Sequence, residues 1–207
     1  MCGRYVITNP VTKTNKIVKS AIQVEDTENY NAHPYQKLPV IKKYKNGNTL
    51  ENLKWGIVPS WLKKKDFKPL INARLETIDE KISFKKLIKL HRCVAIADGF
   101  YEWKRDGKEK TPFYFLRDDK KMMFVAGIFE DNKFCLITEQ AEENVNKIHH
   151  RQPVILNEKD INNYLNLQID GSNFLKEAKK PKLEFYEVSK DVNKPTNNSI
   201  SLIQKIN

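Results

Sequence analysis

Between residues 92 and 138 the chain strings five β-rich runs in meander order. Arg92-Cys93-Val94-Ala95-Ile96-Ala97 is a short, nearly continuous apolar run of the kind that forms a buried strand. Asp98-Gly99 bends the chain, Phe100-Tyr101-Glu102-Trp103 starts the next strand, and Asp106-Gly107 ends it. Residues 112–117, 122–130 and 133–138 follow, rich in aromatic and β-branched side chains and separated by the charged turns Asp118-Asp119 and Asp131-Asn132. Residues 39–58 predict a hairpin around Asn46-Gly47-Asn48. Helices are predicted at 12–25, 79–90, 139–149, 158–166 and 172–179, and a further strand at 183–189. Strands in meander order, without βαβ repetition, imply an α+β chain with antiparallel sheets.

The 207 residues suit a single domain over 1–207, and 40% hydrophobic residues supply a proper core. Its surface is basic: 37 Lys and Arg minus 26 Asp and Glu gives +11. Such a field attracts polyanions, nucleic acid foremost, although lysine-rich surfaces also occur on proteins that bind none. Cys2, Cys93 and Cys135 are odd in number and lack C-x-x-C spacing, so neither a disulfide framework nor a zinc site is expected. The first residues carry no signal-peptide core and no run reaches membrane-span length. A cytoplasmic protein without cofactor, metal or membrane contact is the expectation, nucleoid-associated when on DNA.

The residue with the most chemistry is Cys2. With Met1 removed, it carries an α-amine and a thiol on adjacent carbons. An α-amine has a pKa of ~7.7–8 against ~10.4 for lysine, and a free thiol at ~8.5 is partly thiolate near neutrality. Such a 1,2-aminothiol condenses with an aldehyde to an imine, and sulfur attack closes a thiazolidine. The opposing reading is a frayed terminus, but Gly3-Arg4-Tyr5-Val6-Ile7 has the pattern of a strand entering a sheet. Glu102, between Tyr101 and Trp103, is either a desolvated proton shuttle or a strand-end carboxylate facing water. His149 and His150 close a predicted helix whose C-terminus favours imidazolium; a surface cap, a core histidine and half a metal site are the alternatives. Asn72-Ala73-Arg74 offers an amide for an oxygen and a guanidinium for phosphate, or is an ordinary polar turn. Trp55, Trp61, Tyr101 and Trp103 interleave with Lys54, Lys63, Lys64, Lys65, Lys104 and Arg105 as in single-strand binders. Trp61, in a predicted loop, is the better stacker, while Trp55 and Trp103 also suit a core.

In their order these segments are more specific than any one alone. Met1-Cys2-Gly3-Arg4-Tyr5, Trp55-Gly56-x-x-Pro59-x-Trp61, Asn72-Ala73-Arg74-x-Glu76-Thr77, Arg92-Cys93 followed by Asp98-Gly99-Phe100-Tyr101-Glu102-Trp103, and Ile148-His149-x-Arg151-x-Pro153 resemble the SRAP family. Those SOS-response-associated peptidase proteins process abasic sites in DNA, and the resemblance covers essentially the whole chain. It implies a mixed, barrel-like fold of mostly antiparallel sheets with peripheral helices, and a positive cleft for single-stranded DNA. It further implies a monomer whose Cys2, after autoproteolytic loss of Met1, crosslinks to a ring-opened abasic sugar, with strand junctions among the substrates and lyase activity at its side. By the same resemblance, Asn72 positions the sugar and amine, Glu102 shuttles protons, and His149 opens the sugar and reverses the link. Arg4, Arg74 and Arg151 hold phosphates and Trp61 stacks on the DNA. His33, Leu62 and His150 depart from the family's pattern. Two other readings stand beside this one: a thiol peptidase using Cys2, and a non-covalent single-strand binder.

Overall fold

The computed structural model describes residues 2–45, 47–62 and 66–206. Met1, Asn46 of the predicted hairpin turn, Lys63, Lys64 and Lys65 of the predicted basic loop, and Asn207 lie outside the described residues. In chain order the strands are β1 (Tyr5–Thr8), β2 (Ser20–Ile22), β3 (Glu28–Ala32), β4 (Lys37–Tyr44), β5 (Gly47–Trp55), β6 (Asn72–Arg74) and β7 (Arg92–Ala97). They continue as β8 (Gly99–Asp106), β9 (Glu109–Arg117), β10 (Met123–Glu130), β11 (Lys133–Gln140), β12 (Arg151–Pro153), β13 (Ile155–Leu156) and β14 (Leu183–Glu187). The helices are short: α1 (Pro10–Thr14), α2 (Leu87–Leu90), α3 (Glu143–Asn146), α4 (Ile161–Leu165) and α5 (Gly171–Glu177).

Two sheets result. The first is antiparallel throughout, in the order β14-β9-β8-β1-β3. In the second, β11, β10, β7, β4 and β5 pair in antiparallel succession, and a parallel contact of β5 with β11 closes them into a ring. The fold is thus mixed and mostly antiparallel, with few helices, as the sequence indicates. Trp55, Phe134 and Tyr5 fill the space between the sheets, the indole 5.2 Å from the Tyr5 ring and 6.2 Å from Phe134. The chain crosses from the second sheet to the first at Asp98-Gly99. A Cβ at Gly99 would stand 2.4 Å from the Phe115 carbonyl oxygen and the Tyr114 hydroxyl, so only glycine fits this crossing.

Three predicted helices are corrected, that over 79–90 shrinking to α2 because residues 78–86 run mostly in turns. Residues 12–25 form α1 and then β2, which joins β5 in parallel, so a sheet edge takes over a segment whose apolar spacing suits a helix. Residues 139–149 hold the end of β11 and only four helical residues, because Glu139 and Gln140 pair with Gln152 and Arg151 of β12. Arg92 is buried and ties the peripheral helices to the ring, donating to the carbonyls of Ile88, Tyr164, Asn166 and Ile169 at 2.6–3.2 Å. Among the described residues no helix is long and apolar enough to cross a membrane.

Candidate active site

Cys2 precedes β1 and packs inward without following the alternation of that strand. Tyr5 and Ile7 of β1 face the main core, Val6 the smaller cluster behind the first sheet, and Cys2 joins the main core at 1% exposure. Cys2 is tied down, not frayed. Asn72 opens β6, which lies parallel to β11 with Asn72 opposite Leu136. Its Nδ2 donates to the Cys2 carbonyl at 2.9 Å. Its Oδ1 is buried and meets no hydrogen-bond donor among the described residues, a state that costs about 1–3 kcal/mol. That orphaned acceptor belongs to the same side chain that holds the Cys2 carbonyl.

Glu102 is buried, so it is not the strand-end carboxylate facing water that one of its sequence readings gave. The cause is alternation along β8: Glu102 shares the face of Phe100, opposite Phe113, while Tyr101 and Trp103 point the other way. Burial pushes the Glu102 carboxyl up to about 7. Its negative charge in turn adds to burial in pushing the Cys2 thiol up to about 12. The thiolate fraction expected from a free cysteine is therefore absent near neutrality. His149 lies across from the carboxyl, Nδ1 to Oε1 3.9 Å. Burial lowers its pKa to about 4, so the imidazole is neutral. The imidazolium expected at a helix end is corrected, since α3 stops at Asn146 and desolvation outweighs its dipole. The Arg151 amide donates to His149 Nδ1 at 3.0 Å, an arrangement that leaves the proton on Nε2. His150 stacks on His149 at 4.5 Å and is exposed.

Cys2, Asn72, Glu102 and His149 thus meet where the two sheets join. A carboxyl titrating near neutrality, a neutral imidazole and an oriented amide around a buried thiol suit proton transfer during addition to a carbonyl. A family model described as SOS response associated peptidase matches residues 1–195. The chain belongs to the SRAP family.

Among its SRAP relatives, the abasic site processing protein YoqW of Bacillus subtilis is 33% identical, covering 99% of each chain. The abasic site processing protein YedK of Escherichia coli is 30% identical over the whole of both. The abasic site processing protein HMCES of Gallus gallus is 35% identical over 61% of this chain and 50% of its own. A solved structure from Bacteroides thetaiotaomicron shares the fold, with a TM-score of 0.83 at 22% identity over 99% of this chain and all of that one.

The remaining SRAP motif residues are placed unequally. Arg74 shares the face of Asn72 on β6 and is exposed. Trp61 is 53% exposed on the loop after β5, whereas Trp55 is core and half-buried Trp103 donates to Asn193. Arg4 is half-buried, its Nη1 held by Asn31 Oδ1 at 2.6 Å and the Val192 carbonyl at 2.8 Å. Arg151 is buried and already engaged, bidentate on Glu76 at 2.7 and 2.9 Å and donating to the Thr138 carbonyl.

Sequence reasoning quoted Glu76 within a motif but gave it no task, because its partner lies far along the chain. The guanidinium holds the Glu76 carboxyl below its usual value of 4.5. The pair's stabilisation is therefore present above about pH 4.5 and lost as pH falls through the depressed value. Glu76→Ala is expected to destabilise the protein by roughly 1–2 kcal/mol in urea unfolding at pH 7, with Glu76→Gln losing less. Exposure of the carboxylate keeps the figure below that of a fully buried pair.

Proposed function

We propose that the chain captures abasic sites in single-stranded DNA as a covalent thiazolidine crosslink at Cys2, after its own Met1 has been removed. The observation that carries this is the assembly of Asn72, Glu102 and His149 around a buried Cys2. The amine attacks the C1′ aldehyde of the ring-opened sugar, and water leaves to give an imine. Sulfur then adds to the imine carbon, and the thiol proton passes through Glu102 to nitrogen; one water is lost overall and no oxidant is needed. A thiol held well above neutrality favours this order, amine first and sulfur second. Asn72 Oδ1 is the acceptor offered to the amine, and Nε2–H of neutral His149 polarises the sugar as its ring opens. Arg74, Arg4 and Trp61 are the DNA contacts at the rim, while Arg151 acts largely by holding the His149 loop. An imine that sulfur fails to capture is open to β-elimination, so strand cleavage is the side reaction.

Intact mass tests this directly, before and after incubation with an abasic single-stranded oligonucleotide under denaturing conditions. The expected protein lacks one methionine and gains the oligonucleotide less one water. An unchanged mass after incubation overturns the reading. Cleavage of unrelated peptides would favour the peptidase alternative, and salt-sensitive binding without a denaturation-stable product the non-covalent one.

A further inference from the structure

His33-Pro34-Tyr35-Gln36 forms the turn between β3 and β4, and its backbone is unusual. The Gln36 amide donates to the His33 carbonyl at 3.4 Å, Pro34 occupies the second position, and Tyr35 in the third has φ +77°. A turn with proline second and positive φ third is of the type that calls for glycine or asparagine there. A bulky aromatic in that conformation is a strained outlier. Strain persists where the surrounding structure enforces it, and here the enforcement is visible. The Tyr35 amide donates to the Trp55 carbonyl at 2.8 Å, and the Trp55 amide donates to the Gln36 carbonyl at 2.9 Å. Gly56, with φ +131°, leaves room beneath the ring: a Cβ there would lie 3.5 Å from Tyr35 and 3.0 Å from Pro69.

The ring that this geometry holds up is 47% exposed. Its place follows from register. Ala32 of β3 lies opposite Tyr5 of β1, so the antiparallel chain continues through His33 and Pro34 toward the end of the sheet where Cys2 lies. The same end is reached through contacts: Trp55 Nε1 donates to the Ile71 carbonyl at 2.9 Å, and the next residue, Asn72, holds Cys2. Exposed Trp61 stands on the loop that opens from the Ile57–Leu70 bridge, and Gly56 and Pro69, next to the Tyr35 ring, flank that bridge.

We infer that Tyr35 is a stacking contact for an unpaired nucleobase next to the captured sugar, a second aromatic platform besides Trp61. The inference rests on the proposed capture of abasic single strands and names what the neighbouring base touches. An aromatic face accepts any base, so the contact adds affinity without sequence preference. The phenol hydroxyl plays no part.

Non-covalent binding tests this apart from the chemistry, using a single-stranded oligonucleotide with a tetrahydrofuran abasic analogue that has no aldehyde. Tyr35→Gly is expected to weaken binding roughly tenfold, the range of one base–aromatic stack, while its melting temperature stays at or above wild type because the turn is relieved. Tyr35→Phe should bind as wild type. On oligonucleotides in which the base on one side or the other is also replaced by the spacer, the difference between wild type and Tyr35→Gly should vanish for one of them. Equal binding by wild type and Tyr35→Gly on the fully based strand overturns the inference. So does a loss in Tyr35→Phe as large as in Tyr35→Gly, or a loss that tracks a lowered melting temperature. If wild type gives no crosslink with a true abasic site yet the Tyr35 series behaves as expected, the capture reading fails and the platform stands.

Discussion

Alanine at Cys2 is expected to abolish the denaturation-stable adduct while leaving the α-amine, and with it the imine, in place. Borohydride should therefore still trap Cys2→Ala on an abasic strand, and without reductant the variant should nick the strand more than wild type does. The reasoning is kinetic competition: ring closure by sulfur and β-elimination draw on the same imine, so removing the first leaves the second. Gel electrophoresis with and without reductant separates the two products. An adduct in Cys2→Ala as strong as in wild type, formed without reductant, would assign capture to another residue. The protein should remain folded, since a small buried thiol is exchanged for a methyl at one end of the core.

Glutamine at Glu102 is expected to do two opposite things. Capture should slow by roughly 100-fold or more, the usual weight of a general acid–base group. The wild-type rate should rise through about pH 7 as the carboxyl ionises, and this inflection should vanish in Glu102→Gln, leaving that of the amine. Stability should move the other way. A carboxyl raised from 4.5 to about 7 by burial ionises more easily in the unfolded chain, so the fold is most favoured below pH 4.5 and loses stability up to about pH 7. The loss is roughly 3 kcal/mol above that window, and a neutral amide avoids it. Thermal melts should therefore place Glu102→Gln several degrees above wild type at pH 8, with the gap closing near pH 5. A gap of equal size at both pH values would mean that packing, not charge, is responsible.

The strand succession from β7 to β11 was legible because aromatic and β-branched runs and charged turns are local signals. What escaped was what distant partners decide. Nothing within residues 12–25 announces that Ser20–Ile22 will lie beside β5, and nothing near Gln140 announces its pairing with Arg151. At the site, the residue types sufficed to single out Cys2, Glu102 and His149, but not their protonation. Model-compound values gave a partly ionised thiol and a helix-end imidazolium, and burial reversed both. The motif arginines looked alike in the sequence, yet Arg74 is exposed and Arg151 is closed by Glu76. Tyr35 had a signal that went unused: a proline followed by an aromatic where the turn asks for glycine.

On an open chain, a terminal 1,2-aminothiol would condense with any small aldehyde it met and be lost. Cys2 at 1% exposure, beneath Asn72 and behind Glu102, is withheld from such encounters. The shelter draws on β6, β8 and the loop before β12, so it is complete only in the folded chain. In the proposed capture, the fold plays the part of a synthetic chemist's protecting group.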